Sequence, residues 1–259
     1  MKKVKLDIIG MCHLLELPGD PNFKNNIQNT LERAKKDLFT LQDNGITRVL
    51  FSNEFSYPYT NAVEPVTAMS MAYIIGELKK ELSIPFGVDC MYDPFSTIDL
   101  AIATEAEFYR ITISQSTIED YSLGKTNIGK IIRHANNFKT YLTPKILLNV
   151  SVPFYTEMCN NNALNFLSTI ITQVNPYSVC LSSDLLIPSV NDKSIQEIKT
   201  VLKNTLLYCD GGCNAQNLNL ISNNVNGIII GKSLKEGEIL NNPVSANQIQ
   251  KILKVINKG

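Results

Sequence analysis

Eight short apolar runs recur from one end of this chain to the other, with helical periodicity in the stretches between them. The runs fall at residues 6–11, 47–52, 84–89, 108–113, 146–150, 178–181, 205–209 and 227–230. Each has the length of a strand buried on both faces. Between them, Ile27, Leu31, Ala34, Leu38 and Leu41 repeat every three to four residues up to the stop at Asn44-Gly45. Ala68, Ala72, Ile75, Leu78 and Leu82 do the same up to Ile84-Pro85, as do Leu164, Leu167, Ile170 and Ile171, then Ile195, Ile198 and Leu202. Strand–helix alternation specifies a parallel sheet, and eight units close it into a barrel. The expectation is an α/β chain forming a single (β/α)8 TIM barrel over residues 1–259, with no linker or composition break. A doubly wound open sheet is the competing topology, but no G-x-G-x-x-G follows the first run.

Glycines mark the ends of the last two runs. Tyr208-Cys209-Asp210-Gly211-Gly212 closes the seventh, and Gly227-Ile228-Ile229-Ile230-Gly231-Lys232-Ser233 spans the eighth. Glycine lets backbone N–H groups approach an anion closely, and barrels often hold phosphate after strands 7 and 8. Gly211, Gly212, Gly231, Lys232 and Ser233 are therefore the candidate phosphate grip, with a helix expected directly after Ser233 to aim its positive end at the anion. A plain tight turn is the other reading of Gly-Gly. A nucleotide-binding P-loop is excluded, because only three residues separate Gly227 from Gly231.

Strand parity points polar residues into the barrel. In Phe108-Tyr109-Arg110-Ile111-Thr112-Ile113-Ser114 the apolar set shares one face, leaving Arg110, Thr112 and Ser114 on the other. The same rule turns Gly87 and Asp89 inward on the third strand, and Asn149 and Ser151 on the fifth. A buried guanidinium needs a partner, and Asp89, one strand away, is the natural one. That pair is either a satisfied core contact or the polar floor of a site. His13 follows the first strand, and Asp93 in Met91-Tyr92-Asp93-Pro94 can reach the same mouth or act as a turn former. His134 lies in a helical segment and reads as surface.

The formal charge balances at zero, with 24 basic and 24 acidic residues and no basic patch, which excludes nucleic acid as the main partner. No apolar run reaches the roughly 18 residues of a membrane span, nor does the N-terminus carry a signal-peptide stretch, so a cytoplasmic location is expected. The six cysteines, Cys12, Cys90, Cys159, Cys180, Cys209 and Cys213, form no C-x-x-C; four sit in or beside strands and read as small buried apolar residues. With only two histidines, zinc is disfavoured. No cofactor is expected, and no metal, although His13, Asp89 and Asp93 are the residues that would supply a mixed site. Homo-oligomerisation stays open.

Ile9-Gly10-Met11-Cys12-His13-Leu14-Leu15-Glu16-Leu17-Pro18-Gly19 resembles the N-terminal signature of the BtpA/SgcQ family, Gly-Met-Val-His-Leu-x-x-Leu-Pro-Gly. Pro85-Phe86-Gly87-Val88, Tyr109-Arg110-Ile111, Asp210-Gly211-Gly212 and Gly231-Lys232-Ser233-Leu234-Lys235-Glu236-Gly237 continue the match in order. The resemblance implies a TIM barrel of the ribulose-phosphate-binding type, in a family some of whose members are linked to photosystem I biogenesis and others to sugar phosphotransferase operons. The chain also departs from the pattern. Phe51-Ser52-Asn53-Glu54-Phe55-Ser56 keeps fragments of Glu-Asn-Phe-Gly-Asp, and Met91-Tyr92-Asp93 stands where Leu-Arg-Asn-Asp is usual. Ser151-Val152-Pro153 replaces Lys-His, and Ser182-Ser183-Asp184 replaces Thr-Gly. These departures imply a different substrate or lost catalysis.

Two functional classes follow. One is a barrel that binds a phosphorylated small molecule, of the sugar-phosphate isomerase, epimerase or lyase type. There His13, Asp89 and Asp93 are the acid–base candidates and Arg110 gives electrostatic support. The other is a non-catalytic assembly or regulatory protein that keeps the barrel.

Overall fold

A computed structural model of the protein describes residues 6–113, 127–150, 161–183, 186 and 188–258. Eight parallel strands close into a barrel in sequence order: β1 (Asp7–His13), β2 (Arg48–Ser52), β3 (Phe86–Asp89), β4 (Phe108–Ile113), β5 (Lys145–Val150), β6 (Ser178–Leu181), β7 (Leu206–Asp210) and β8 (Gly227–Ile230). Pairing of Ile8 with Ile228 and Cys12 with Phe51 joins β1 to both β8 and β2, completing the ring. Helices α1 (Ile27–Asp43), α2 (Pro65–Lys79), α3 (Pro94–Thr104), α4 (Ile128–Asn136), α5 (Asn161–Val174), α6 (Pro188–Leu202), α7 (Leu218–Ser222) and α8 (Ala246–Lys258) lie outside it. The outward faces of the strands and the apolar stripes of the helices form one continuous core, with Leu38, Ile74, Val88, Ile111 and Ile249 all buried.

The inward faces form a second, smaller core of Ile9, Met11, Leu50, Phe108, Leu147, Cys180, Tyr208 and Ile229. Two large rings fit there because the strand facing each carries glycine. A Cβ on Gly87 would lie 2.3 Å from the Phe108 ring, and one on Gly227 would lie 2.7 Å from the Tyr208 ring. At the N-terminal end of the barrel Asp7 accepts from the Tyr208 hydroxyl at 2.6 Å and pairs with Arg48 at 3.4 Å. The Arg48 guanidinium in turn covers the rings of Phe108 and Tyr177 at 5.9 and 6.0 Å. This plug fills the bottom of the lumen.

Two connections differ from the sequence expectation. Strand–helix alternation calls for a helix between β7 and β8, and α7 there has only five residues. The segment is rich in asparagine, whose side chains compete with helix hydrogen bonds. Asn214 Oδ1 accepts from Gln216 N and Asn217 N, and Asn217 Oδ1 accepts from Asn214 N. No α-helix begins directly after Ser233 either. Short 3-10 turns at Lys232–Leu234 and Glu236–Glu238 come first, and α8 starts only at Ala246. Lys235 causes the break. It is extended and its ammonium is buried against Asp37 of α1 at 2.7 Å, which pulls the chain inward. Asp37 also accepts from Val244 N at 2.8 Å and from Arg33 at 3.3 Å, so one carboxylate pins this whole strap to α1.

Candidate functional site

A cavity of about 550 Å³ opens at the C-terminal ends of the strands. His13, Glu54, Arg110, Asp210 and the glycine loops after β7 and β8 line it. Parity places these side chains as expected: Arg110 points inward from β4 and Asn149 from β5, where Asn149 Nδ2 donates to Thr112 Oγ1 at 3.2 Å. Ser114 and Ser151 lie outside the described residues.

The floor is an ion triad. Arg110 Nε donates to Asp89 Oδ2 at 2.7 Å, with Nη2 at 2.6 Å from the same oxygen. Its Nη1 donates to both oxygens of Asp210, at 2.7 and 3.0 Å. Asp89 is thus the partner that parity assigned, while Asp210, across the lumen on β7, is a second partner that the sequence reading passed over. The same parity rule locates it, since Asp210 follows inward Tyr208 by two residues. Burial works against the charge on Arg110, but the two aspartates raise its pKa above the ordinary arginine value. Burial raises the Asp89 carboxyl against the pull of Arg110.

Glu54 is another lining residue the sequence reading left without a role. It stands two residues past Ser52, in the turn that follows β2. Burial raises its pKa, Arg110 opposes that, and the nearby Asp89 and Asp210 carboxylates add to it.

His13 is the last residue of β1 rather than following it, since the ladder continues through the His13–Ser52 pairing to the bond from Leu14 N to Ser52 O. It is 5% exposed, and its Nδ1 has no hydrogen-bond partner. Burial lowers its pKa to about 3, helped by the cations Lys235 and Arg110. The imidazole is therefore neutral at physiological pH. Gly231 explains how the ring fits: a Cβ there would lie 2.7 Å from His13 Cε1. The glycine after β8 thus makes room for His13.

The two glycine loops meet over the cavity. Ser233 Oγ donates to Cys213 O at 2.7 Å, tying one loop to the other. Gly211 and Gly212 both have positive φ, at 86° and 75°, a conformation that favours glycine. Gly212 also lacks room for a side chain, since a Cβ would sit 2.1 Å from Ser183 Oγ. Lys232 is exposed at the rim. The α-helix dipole expected beside this grip is missing, because only a three-residue 3-10 turn follows Gly231.

Asp93 does not join the cavity lining. It is the N-cap of α3: Oδ1 accepts from Phe95 N and Ser96 N, both at 3.0 Å. Oδ2 accepts from Ser96 Oγ at 2.6 Å and from Val63 N at 2.9 Å. Its carboxylate is committed to holding the β2–α2 loop against α3. His13, Asp89 and Asp93 are accordingly not gathered into one cluster, and among the described residues no three His, Cys, Asp or Glu side chains come together as a metal shell. His134 sits on the surface of α4, 2.6 Å from Asp99. Cys12, Cys90, Cys180, Cys209 and Cys213 are free and buried, and Cys159 lies outside the described residues. Among the described residues no helix is long and apolar enough to cross a membrane.

Parallel strands closed in order, with polar side chains gathered where the strands end, define a TIM barrel whose mouth holds the candidate site. The sequence profile of the BtpA family matches residues 4–258, and the chain belongs to that family. One relative is the sgc region protein SgcQ of Escherichia coli, 29% identical over 96% of this chain and 93% of its own. Another is the photosystem I biogenesis protein BtpA of a Synechocystis species, 21% identical over 97% of this chain and 88% of its own. Among solved structures, one titled native KDPGal structure superposes with a TM-score of 0.58 at 12% identity, covering 99% of this chain and 97% of that one. Phosphoribosyl anthranilate isomerase from Thermococcus kodakaraensis gives 0.57 at 10% identity, covering 98% and 100%. Those likenesses establish the fold.

Proposed function

We propose that this barrel binds a phosphorylated small molecule and acts on it as a sugar-phosphate isomerase, epimerase or lyase. The observation that carries the reading is the meeting, over one cavity of about 550 Å³, of two glycine loops with a charged floor and a buried neutral imidazole. Backbone N–H groups at Gly211, Gly212 and Gly231, with Lys232 at the rim, grip the phosphate. The Ser233 hydroxyl proton is given to Cys213 O, so Ser233 contributes by holding the two loops together.

The chemistry falls to the remaining lining residues. Glu54, with its carboxyl raised by burial, is the proton acceptor, because a base works best when its pKa approaches the operating pH. His13 is a neutral hydrogen-bonding partner for a substrate oxygen. Arg110 supplies fixed positive charge near an oxyanion, and Asp89 and Asp210 hold it in place. Solved neighbours of the same fold include an isomerase of a phosphorylated compound, which accords with this class.

A thermal-shift panel of sugar phosphates tests the reading, since a ligand at 100 times its dissociation constant stabilises by about 2.7 kcal/mol. A specific response that disappears in Gly212→Val, and turnover that disappears in Glu54→Gln, are the expected results. No response to any phosphate overturns it. The relative named for photosystem I biogenesis supports the second reading, an assembly protein. A stoichiometric protein partner, kept by Glu54→Gln and Arg110→Met, is the result that favours it.

A further inference from the structure

Helix α2 is apolar on both sides. Its inner side buries Met71, Ile74, Ile75 and Leu78 in the main core. Its outer side carries Val66, Met69 and Tyr73, which are 46%, 69% and 48% exposed, so among the described residues nothing covers them. Gly76 continues the line, with no atom within 4 Å of the place its Cβ would take. Steps of three, four and three residues keep these four positions in one stripe. The outer side of α1 differs: there Gln28, Asn29, Glu32, Lys35 and Lys36 meet solvent. A helix that is apolar all round belongs in an interior. We propose that a second copy of this chain covers the stripe, with the two α2 helices packed antiparallel across a two-fold axis.

The stripe is complementary to its own reverse, as a two-fold contact requires. An axis at the level of Met71 sets Met69 against Tyr73 of the second copy, and Val66 against Gly76 of the second copy. Each pairing then occurs twice. A thioether beside an aromatic ring is a favourable contact. The bare backbone at Gly76 leaves a hollow into which the Val66 methyls fit, so the helices can approach closely.

Charge selects the same direction. No charged residue lies between Val66 and Gly76. Exposed Glu64 stands at the N-terminal end of the stripe and exposed Lys80 at the C-terminal end. Antiparallel packing brings these unlike ends together, whereas parallel packing sets Glu64 beside Glu64 and Lys80 beside Lys80. Lys79 is already committed to Glu105 within the chain. A lipid surface is matched by a basic rim, and here Glu64 and Glu77 flank the apolar residues. The stripe runs about 15 Å from Val66 to Gly76. That is short, so the dimer belongs to the small, weak class that buries less than about 1,200 Å² in total.

Sedimentation velocity of the full chain, from micromolar to millimolar concentration, tests the proposal. A reversible monomer–dimer equilibrium with a micromolar dissociation constant is expected. Met69→Glu should weaken it at least about tenfold by placing a charge at the centre of both halves. Since Met69 is exposed, the melting temperature of the dilute monomer should stay as in wild type. Glu64→Lys and Lys80→Glu should each weaken the dimer about threefold, as loss of an exposed ion pair does. The two combined in one chain should restore it. A chain that stays monomeric throughout overturns the proposal, and so does a dimer indifferent to Met69→Glu. Failure of the charge exchange to restore the dimer overturns the antiparallel arrangement. Binding of the wild-type monomer to phosphatidylcholine vesicles in place of self-association assigns the stripe to a lipid surface and overturns it too. Val66, Met69, Tyr73, Gly76, Glu64 and Lys80 all lie off the mouth, so failure here and failure of the phosphate reading are distinguishable.

Discussion

His13 couples stability to pH through its burial. In the unfolded chain the ring titrates near 6.5, while in the folded protein it does so at about 3. Between those values the unfolded state holds a proton that the folded state lacks. Stability from this residue is thus complete above 6.5 and is lost as pH falls toward 3, by up to about 1.4 kcal/mol per unit. Urea denaturation of wild type and His13→Gln at successive pH values should show the wild type losing more stability on acidification. Equal slopes would remove His13 as the cause. Arg110 predicts the opposite sign. Arg110→Met leaves Asp89 and Asp210 buried without a counter-charge and should cost about 3–5 kcal/mol at neutral pH. Burial already raises the Asp89 carboxyl, and without the opposing pull of Arg110 it would titrate higher still than in the unfolded chain, so the variant should regain stability as pH is lowered. The inward parity of Arg110, Asp89 and Asn149 was legible from alternation alone. Asp210 was equally legible by parity, but its place in the Asp-Gly-Gly motif drew attention to the glycines. Asp93 shows what alternation cannot decide: beyond the strand end, side-chain direction follows the loop, and this loop makes Asp93 a cap.

At the scale of elements, the strap after β8 is held to α1 chiefly by the buried Asp37 carboxylate, whose shortest ion pair is with Lys235. Lys235 and Asp37 are 1% and 0% exposed. Removing Lys235 leaves buried Asp37 with only the longer pair to Arg33 at 3.3 Å, so Lys235→Met should destabilise by up to about 3 kcal/mol in chemical denaturation. Replacing both, as Asp37→Leu with Lys235→Met, should recover part of the loss. Recovery stays incomplete because Val244 N loses its acceptor. Full recovery, or a cost below about 1 kcal/mol for Lys235→Met, would show that other contacts hold the strap. Strands and the longer helices were legible because burial imposes a period on them. The α7 segment and the strap were not. Their shape comes from asparagine side chains bonding to local backbone and from a lysine reaching a carboxylate 198 residues away in sequence, and neither leaves a periodic trace.

Across the whole molecule, closure of the ring depends on matching large inward residues to missing side chains on neighbouring strands. Gly87→Ala would put a methyl 2.3 Å from the Phe108 ring. It should cost about 1–3 kcal/mol as an overpacked core does. Adding Phe108→Leu should restore part of that stability, which a thermal melt of the single and double variants reads directly; no recovery would mean that the strain lies elsewhere. The eight-unit closure itself was legible from the count of apolar runs, whereas these pairings needed the register. The same interior has a bearing on traffic. With Asp7, Arg48, Tyr177 and Tyr208 stoppering the far end, the lumen is a cul-de-sac and not a corridor. Any molecule lodged in the mouth departs through the opening by which it arrived, so one occupant shuts out the next until it has left.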